Sequence, residues 1–291
     1  MQSLLFSLVQ FFRRPEFAFD LAWKPISFGQ KVWLLYRLIA LQLALVTVTT
    51  VIVSVLADRL GFRGENLVGQ ESQTSTVWQF LLAAAILAPL IEELLFRGWI
   101  SKKRWLFAIL FPVHVLAVGW TVATLVFYRN FEINPLLCFF VGLGISIVFL
   151  IAWIIKMTSD AIDKKPLFAT LKPWIFTTII WYSALIFGFA HSSNWIEVGQ
   201  FWYLVPLLVI PQLIGGISLV FIRIRLGLQY SIMGHFILNL LGTILIYNSM
   251  LVDEINQNSP SLIVIYGVLI HICVSAVLEI LAFYRQKSTH L

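Results

Sequence analysis

Long unbroken stretches of apolar residues run through this chain between short polar connections, and no stretch alternates as a half-buried strand would. An α-helix needs about 20 apolar residues to cross the hydrocarbon core of a bilayer. Eight stretches reach that length: 33–56, 77–99, 105–127, 135–157, 173–191, 200–222, 229–250 and 261–283. The pattern predicts an all-α fold, a polytopic membrane helical bundle of about eight transmembrane helices, and argues against a β-barrel. Residues 1–32 then form an N-terminal cytoplasmic or interfacial segment, 33–283 the transmembrane domain and 284–291 a tail. The polar connections 57–76 and 158–172 are too short to fold alone. No repeat is evident, so a transporter built from duplicated halves has no support. Pro173 is expected to start the fifth helix. Pro211, followed by Gly215 and Gly216, is expected to kink the sixth or let a neighbour approach closely.

Composition agrees, with 60% hydrophobic and 12% charged residues in 291. The first twelve residues are apolar but are followed, not preceded, by Arg13 and Arg14, which suits an interfacial helix better than a secretory signal. Net charge is +6, yet its placement is topological. With the N-terminus in the cytoplasm, all Lys and Arg except Arg59, Arg63 and Arg129 fall on the inner side, the positive-inside asymmetry that puts both termini in the cytoplasm. No nucleic-acid partner is implied. Cys138 and Cys273 sit in separate predicted helices and imply neither a disulfide framework nor a cysteine-rich metal site. Trp33, Trp99, Trp105, Trp202 and Tyr284, near helix ends, suit an interfacial aromatic belt.

Against this apolar background a few polar residues stand out. Glu92, Glu93 and Arg97 lie near the end of the second stretch, where each ionised side chain at a membrane-helix centre costs about 2.5–3.5 kcal/mol. Glu93 and Arg97 are four apart and can pair, which alone would make a helix-anchoring ion pair. Glu92 is turned about 100° away and needs another neighbour. His191 closes the fifth stretch in Phe187-Gly-Phe-Ala-His191; alone it reads as a boundary histidine bonded to a loop. His235 and Asn239, four apart in the seventh stretch, share a face and alone read as interhelical glue. Taken together, two carboxylates, two histidines, an arginine and an amide on three apolar helices point to one shared site. A carboxylate with a histidine can activate water for attack on a peptide carbonyl, while a histidine and an amide can donate to the developing oxyanion. No serine, cysteine or lysine stands out as a nucleophile beside them.

Glu-Glu-x-x-x-Arg, Phe-x-x-x-His and His-x-x-x-Asn, in that order, resemble the CPBP family of intramembrane proteases, which covers type II CAAX prenyl endopeptidases and bacteriocin-processing or self-immunity proteins. The resemblance covers a protease-like core at about 77–250. It implies that Glu92 and His191 activate water, that Glu93 and Arg97 support them, and that His235 and Asn239 stabilise the oxyanion. It implies membrane lipids and a hydrophobic or lipidated peptide or protein as partners, in a multipass protein of a bacterial cell membrane. The glutamate-water mechanism requires no cofactor; if zinc is held, Glu92, His191 and His235 are the expected ligands, although the chain has no His-Glu-x-x-His.

The family usually separates its glutamate and first histidine motifs by a short loop and part of a helix, whereas here the stretches 105–127 and 135–157 intervene. Depth poses a second difficulty. At about 1.5 Å per residue, Glu92 lies about 14 Å and His235 about 10 Å from the inner surface, but His191, counted from Pro173, about 27 Å; tilt or a protruding fifth helix must close the gap. His114 and His271 read as packing residues, His290 as part of the tail, and Glu279 as an interfacial partner of Arg285 or Lys287. Two other functions compete with hydrolysis: a non-catalytic immunity or scaffold protein of the same fold, and a proton-coupled transporter, which would spread acidic groups through both leaflets.

Overall fold

The computed structural model describes residues 4–13, 26–62, 76–100, 107, 110–116, 118, 173–194, 201–252, 267, 270–271, 274–275 and 277–282. The principal helices are α1 (Leu4–Arg13), α2 (Phe28–Arg59), α3 (Val77–Arg97), α4 (Pro173–Ala190), α5 (Ile210–Arg225) and α6 (Leu228–Val252). Residues 110–116 and 277–282 are also helical, and no strand occurs among the described residues. α2 and α3 are long and apolar enough to cross a membrane. The predicted stretch 135–157, both cysteines, Trp105, Tyr284, Arg285, Lys287 and His290 lie outside the described residues.

Local sequence sets the helix ends. Ser27-x-x-Gln30 and Thr76-x-x-Gln79 form capping boxes that satisfy the first amides of α2 and α3. α2 stops at a Schellman turn: Gly61, at φ +85°, donates to Asp58 O at 2.9 Å while Phe62 N–H reaches Ala57 O at 2.9 Å. Phe62 is buried beside Ala57, Leu204 and Leu208 in a small cluster at that end of the molecule. Between α5 and α6 only Leu226 and Gly227 intervene, and Gly227 takes φ +112°, a conformation side chains resist.

The predicted sixth helix, 200–222, is shorter than expected. Trp202–Leu204 is a 3₁₀ turn, Val205–Leu208 a single helical turn, and α5 starts only at Ile210. Pro206 and Pro211 each fall in a first turn, where a missing N–H costs nothing; Pro211 therefore starts a helix instead of kinking one. Pro173 starts α4 as the sequence predicts.

The main core gathers residues of α1, α2, α4 and α5 around Leu38, Ala184, Val220 and Ile222. α1 does more than rest on a surface: Leu8 and Phe11 are buried, and Phe11 meets Phe221 edge-on at 5.1 Å. α4 and α5 approach closely through small residues. A Cβ on Gly216 would lie 3.2 Å from Ala184 O, and one on Gly188 would lie 3.3 Å from Leu213 N. Trp99, expected in an interfacial belt, is instead fully buried against Phe107 and Phe111. Trp33 is exposed.

Two further polar residues find partners along α2. Glu279 pairs with Arg37, and His271 bonds Tyr36, whose hydroxyl also lies 3.1 Å from Ser275 Oγ. A cavity of about 860 Å³ lies beside them, lined among others by Tyr36, Tyr230, Met233, Ile237 and His271. Helical spacing puts Tyr230, Met233 and Ile237 on the side of α6 opposite His235, so this cavity is separate from Glu92 and Glu93.

Candidate active site

α3 is not a uniform α-helix. Leu81–Leu87 is wound as a π-helix just before Pro89. Proline has no N–H and its ring crowds the carbonyl one turn back, so the ladder must open there. Ala88 N–H bonds Ala83 O, five residues back. By the same register Ala84 O would need the N–H that Pro89 lacks. Asn239 of α6 supplies the donor, its Nδ2 lying 2.8 Å from Ala84 O.

One turn beyond Pro89 the two glutamates part company. Glu93 is fully buried, and its carboxylate is saturated: Oε1 accepts from Arg97 and from His235 Nδ1 at 3.0 Å, and Oε2 accepts from Ser231. Arg97, also fully buried, lies over the Phe187 ring at 4.1 Å, and its Nη2 donates to Gly216 O at 3.4 Å. The closeness of α4 and α5 at Gly216 makes that arrangement possible. Ser231, His235 and Asn239 recur every four residues on α6, one stripe facing α3.

Glu92 points to another group. Its Oε2 lies 3.7 Å from Nε2 of His191 and 3.7 Å from Nε2 of His235, and has no hydrogen-bond partner among the described residues. The other ring nitrogen of each histidine is already fixed. His191 Nδ1 lies 2.7 Å from Phe187 O, an acceptor only, so it carries the proton and leaves Nε2 bare. His235 Nδ1 is turned to the Glu93 carboxylate, which holds a proton on that nitrogen and leaves Nε2 free to carry a second one. Separations of 3.7 Å exceed a direct hydrogen bond but suit one small polar species contacting all three groups.

The depth difficulty resolves through α4. Ser183 Oγ donates to Phe96 O at 2.8 Å, which sets Ser183 level with the end of α3. Pro173, ten residues earlier, therefore lies about 15 Å beyond that end, and the exposed Trp174 agrees. α4 thus starts past α3, which removes about half of the expected offset, and the side chains of His191 and Glu92 span the rest to meet at 3.7 Å.

Five of the six residues singled out from sequence, Glu92, Glu93, Arg97, His191 and His235, are linked by contacts of 3.7 Å or less. Asn239 is nearby on the same stripe, but its amide holds Ala84 O. No group of three His, Cys, Asp or Glu among the described residues is arranged to hold a metal ion. The donor types at Glu92, His191 and His235 are ones that zinc accepts.

The sequence model describing the type II CAAX prenyl endopeptidase Rce1-like family matches residues 74–241, more than half of the chain and all of this cluster. The chain belongs to that family. Rce1-like membership, with the two long apolar helices, makes it an integral membrane protein and implies CAAX-type intramembrane protease activity. No curated protein and no solved structure matches the chain. Within the Rce1-like region three contributors escape motif reading: Ser231, Gly216 and Arg223, whose Nε donates to Arg97 O at 3.1 Å. Two of them carried a signal: Ser231 its four-residue spacing from His235, and Gly216 its place after Pro211 and Gly215, where the sequence allows a neighbour to approach closely.

Proposed function

We propose that the protein is a multipass intramembrane endopeptidase, both termini cytoplasmic, that hydrolyses a peptide bond near a lipidated or hydrophobic segment with water activated by Glu92. The observation that carries this reading is the contrast between the two glutamates. Glu93 is saturated by Arg97, His235 and Ser231, whereas among the described residues Glu92 Oε2 meets only two imidazole Nε2 atoms, each 3.7 Å away. A carboxylate with no donor within hydrogen-bond reach is suited to accept a proton; one held by three donors is suited to orient its neighbours.

In this scheme a water among Glu92, His191 and His235 loses a proton to Glu92 while His191 Nε2 holds its second hydrogen. The resulting hydroxide attacks the scissile carbonyl carbon, and the negative charge gathers on the carbonyl oxygen. His235, in the form protonated on both nitrogens, keeps Nδ1–H on Glu93 and turns Nε2–H toward that oxygen. The amide hydrogen of Asn239 not directed to Ala84 O can add a second donor. Glu92 then returns the proton to the leaving amine as the C–N bond breaks. No step is routed through a metal.

The test uses protein reconstituted in liposomes with a prenylated peptide ending in a CAAX sequence, set against a hydrophobic leader peptide without a lipid. Glu92→Gln keeps size and hydrogen bonding but cannot act as base, so turnover should fall by about 10²–10⁴-fold with the protein still folded. Undiminished turnover refutes the mechanism, and cleavage of the leader alone refutes a preference for lipidated substrates.

A further inference from the structure

The carbonyl end of α3 is finished by groups from three other parts of the chain. A helix leaves its last four carbonyls without intrahelical donors. Here Gly98 N–H takes Leu94 O at 3.1 Å, His114 Nδ1 lies 2.8 Å from Leu95 O, Ser183 Oγ donates to Phe96 O at 2.8 Å, and Arg223 Nε donates to Arg97 O at 3.1 Å. Each carbonyl from Leu94 to Arg97 therefore has its own donor, and two come from neutral side chains fully buried in the bundle.

His114 is the least expected of these. It comes from the segment between the glutamate motif and His191, is fully buried, and is boxed by Phe96, Trp99, Phe111 and Tyr182. Its Nε2 has no hydrogen-bond partner among the described residues. A phenylalanine would fill such a box without burying an unpaired nitrogen, so packing alone does not account for an imidazole. What the imidazole supplies and a phenyl ring cannot is the N–H on Leu95 O. Ser183 does the same from α4: it too is fully buried, and its hydroxyl is directed to Phe96 O.

Both bonds act beside the cluster. Arg97 ends α3 and Glu93 lies one turn back. Fraying of that turn would draw Arg97 away from Glu93, Gly216 O and the Phe187 ring, loosening the carboxylate that orients His235. We propose that His114 and Ser183 are positioning residues for hydrolysis: they lock the last turn of α3 so that Glu92 meets His191 and His235 in register. The proposal rests on the reading of Glu92 as the base.

His114→Phe, His114→Asn and Ser183→Ala, with Glu92→Gln as control, are reconstituted and assayed for kcat and KM on the prenylated peptide. His114→Phe and Ser183→Ala should each lower kcat about 10- to 100-fold, the range a misplacement near 1 Å produces, with KM unchanged. His114→Asn, whose amide sits where Nδ1 did, should recover part of the loss. Wild-type kcat in His114→Phe, or no recovery in His114→Asn, overturns the proposal. Ser183→Ala removes a single oxygen and keeps the test decisive if His114→Phe does not accumulate: its turning over at the wild-type rate also overturns it. Activity retained by Glu92→Gln refutes the base assignment instead, whatever the cap variants do.

Discussion

Arg97→Met tests the buried ion pair most directly. Arg97 and Glu93 are both fully buried, so the variant leaves a carboxylate in the interior with two neutral or weakly basic donors, Ser231 and His235, in place of three. Removing one partner of a buried pair costs about 3–5 kcal/mol, chiefly because the other charge stays uncompensated. On the scaling of soluble domains of comparable size, that lowers the thermal midpoint by roughly 10 °C. Adding Glu93→Gln removes the stranded charge, so the double variant should regain about 2 kcal/mol, a coupling within the range for residues in contact. Catalysis should not return with stability, because His235 has then lost its carboxylate. Tryptophan-fluorescence unfolding in detergent, run beside the peptide assay, reads both quantities. If Arg97→Met melts with the wild type, or the double variant is less stable than Arg97→Met, the pair does not hold the site together as argued.

Asn239→Leu leaves Ala84 O without a donor and should lose about 1–3 kcal/mol, together with activity; an unchanged midpoint in the same unfolding assay counts against the π-segment account. Gly216→Val adds a Cβ 3.1 Å from Phe187 Cδ1 and 3.2 Å from Ala184 O, and should destabilise by about 1–3 kcal/mol while shifting Arg97; wild-type stability and activity would show that α4 and α5 have room to spare. Prolonged chelation followed by desalting should leave peptide turnover intact, and stoichiometric zinc by elemental analysis with activity restored only by added metal would refute a carboxylate-activated water.

Legibility from sequence divided along physical lines. The apolar runs located α2, α3, α4 and α6 to within a few residues because bilayer-length hydrophobicity is a property of composition, visible without neighbours. The catalytic candidates were legible because ionised or polar groups in such runs demand partners, and Glu92, Glu93, Arg97, His191 and His235 prove to be one another's. What sequence reading missed depends on three-dimensional context. The break at Val209 arises from Pro211 opening a helix, which a hydropathy window averages away. Trp99 looked like an interfacial residue from its place at a helix end, and its burial depends on Phe107 and Phe111 folding back over it. The approach of His191 toward the level of Glu92 depends on how far α4 starts beyond the end of α3, which the contact between Ser183 and Phe96 sets and residue counting along one helix cannot supply.

The spacing of Glu93 and Arg97 also bears on biosynthesis. Ser231 and His235, which complete the shell around Glu93, leave the ribosome more than 130 residues after it, so α3 must partition into lipid before either exists. Two lone charges would each oppose that step by about 2.5–3.5 kcal/mol. Because the arginine sits one turn from the acid on the same helix, α3 carries its own counterion through insertion and later hands the neutralised acid to partners that arrive last.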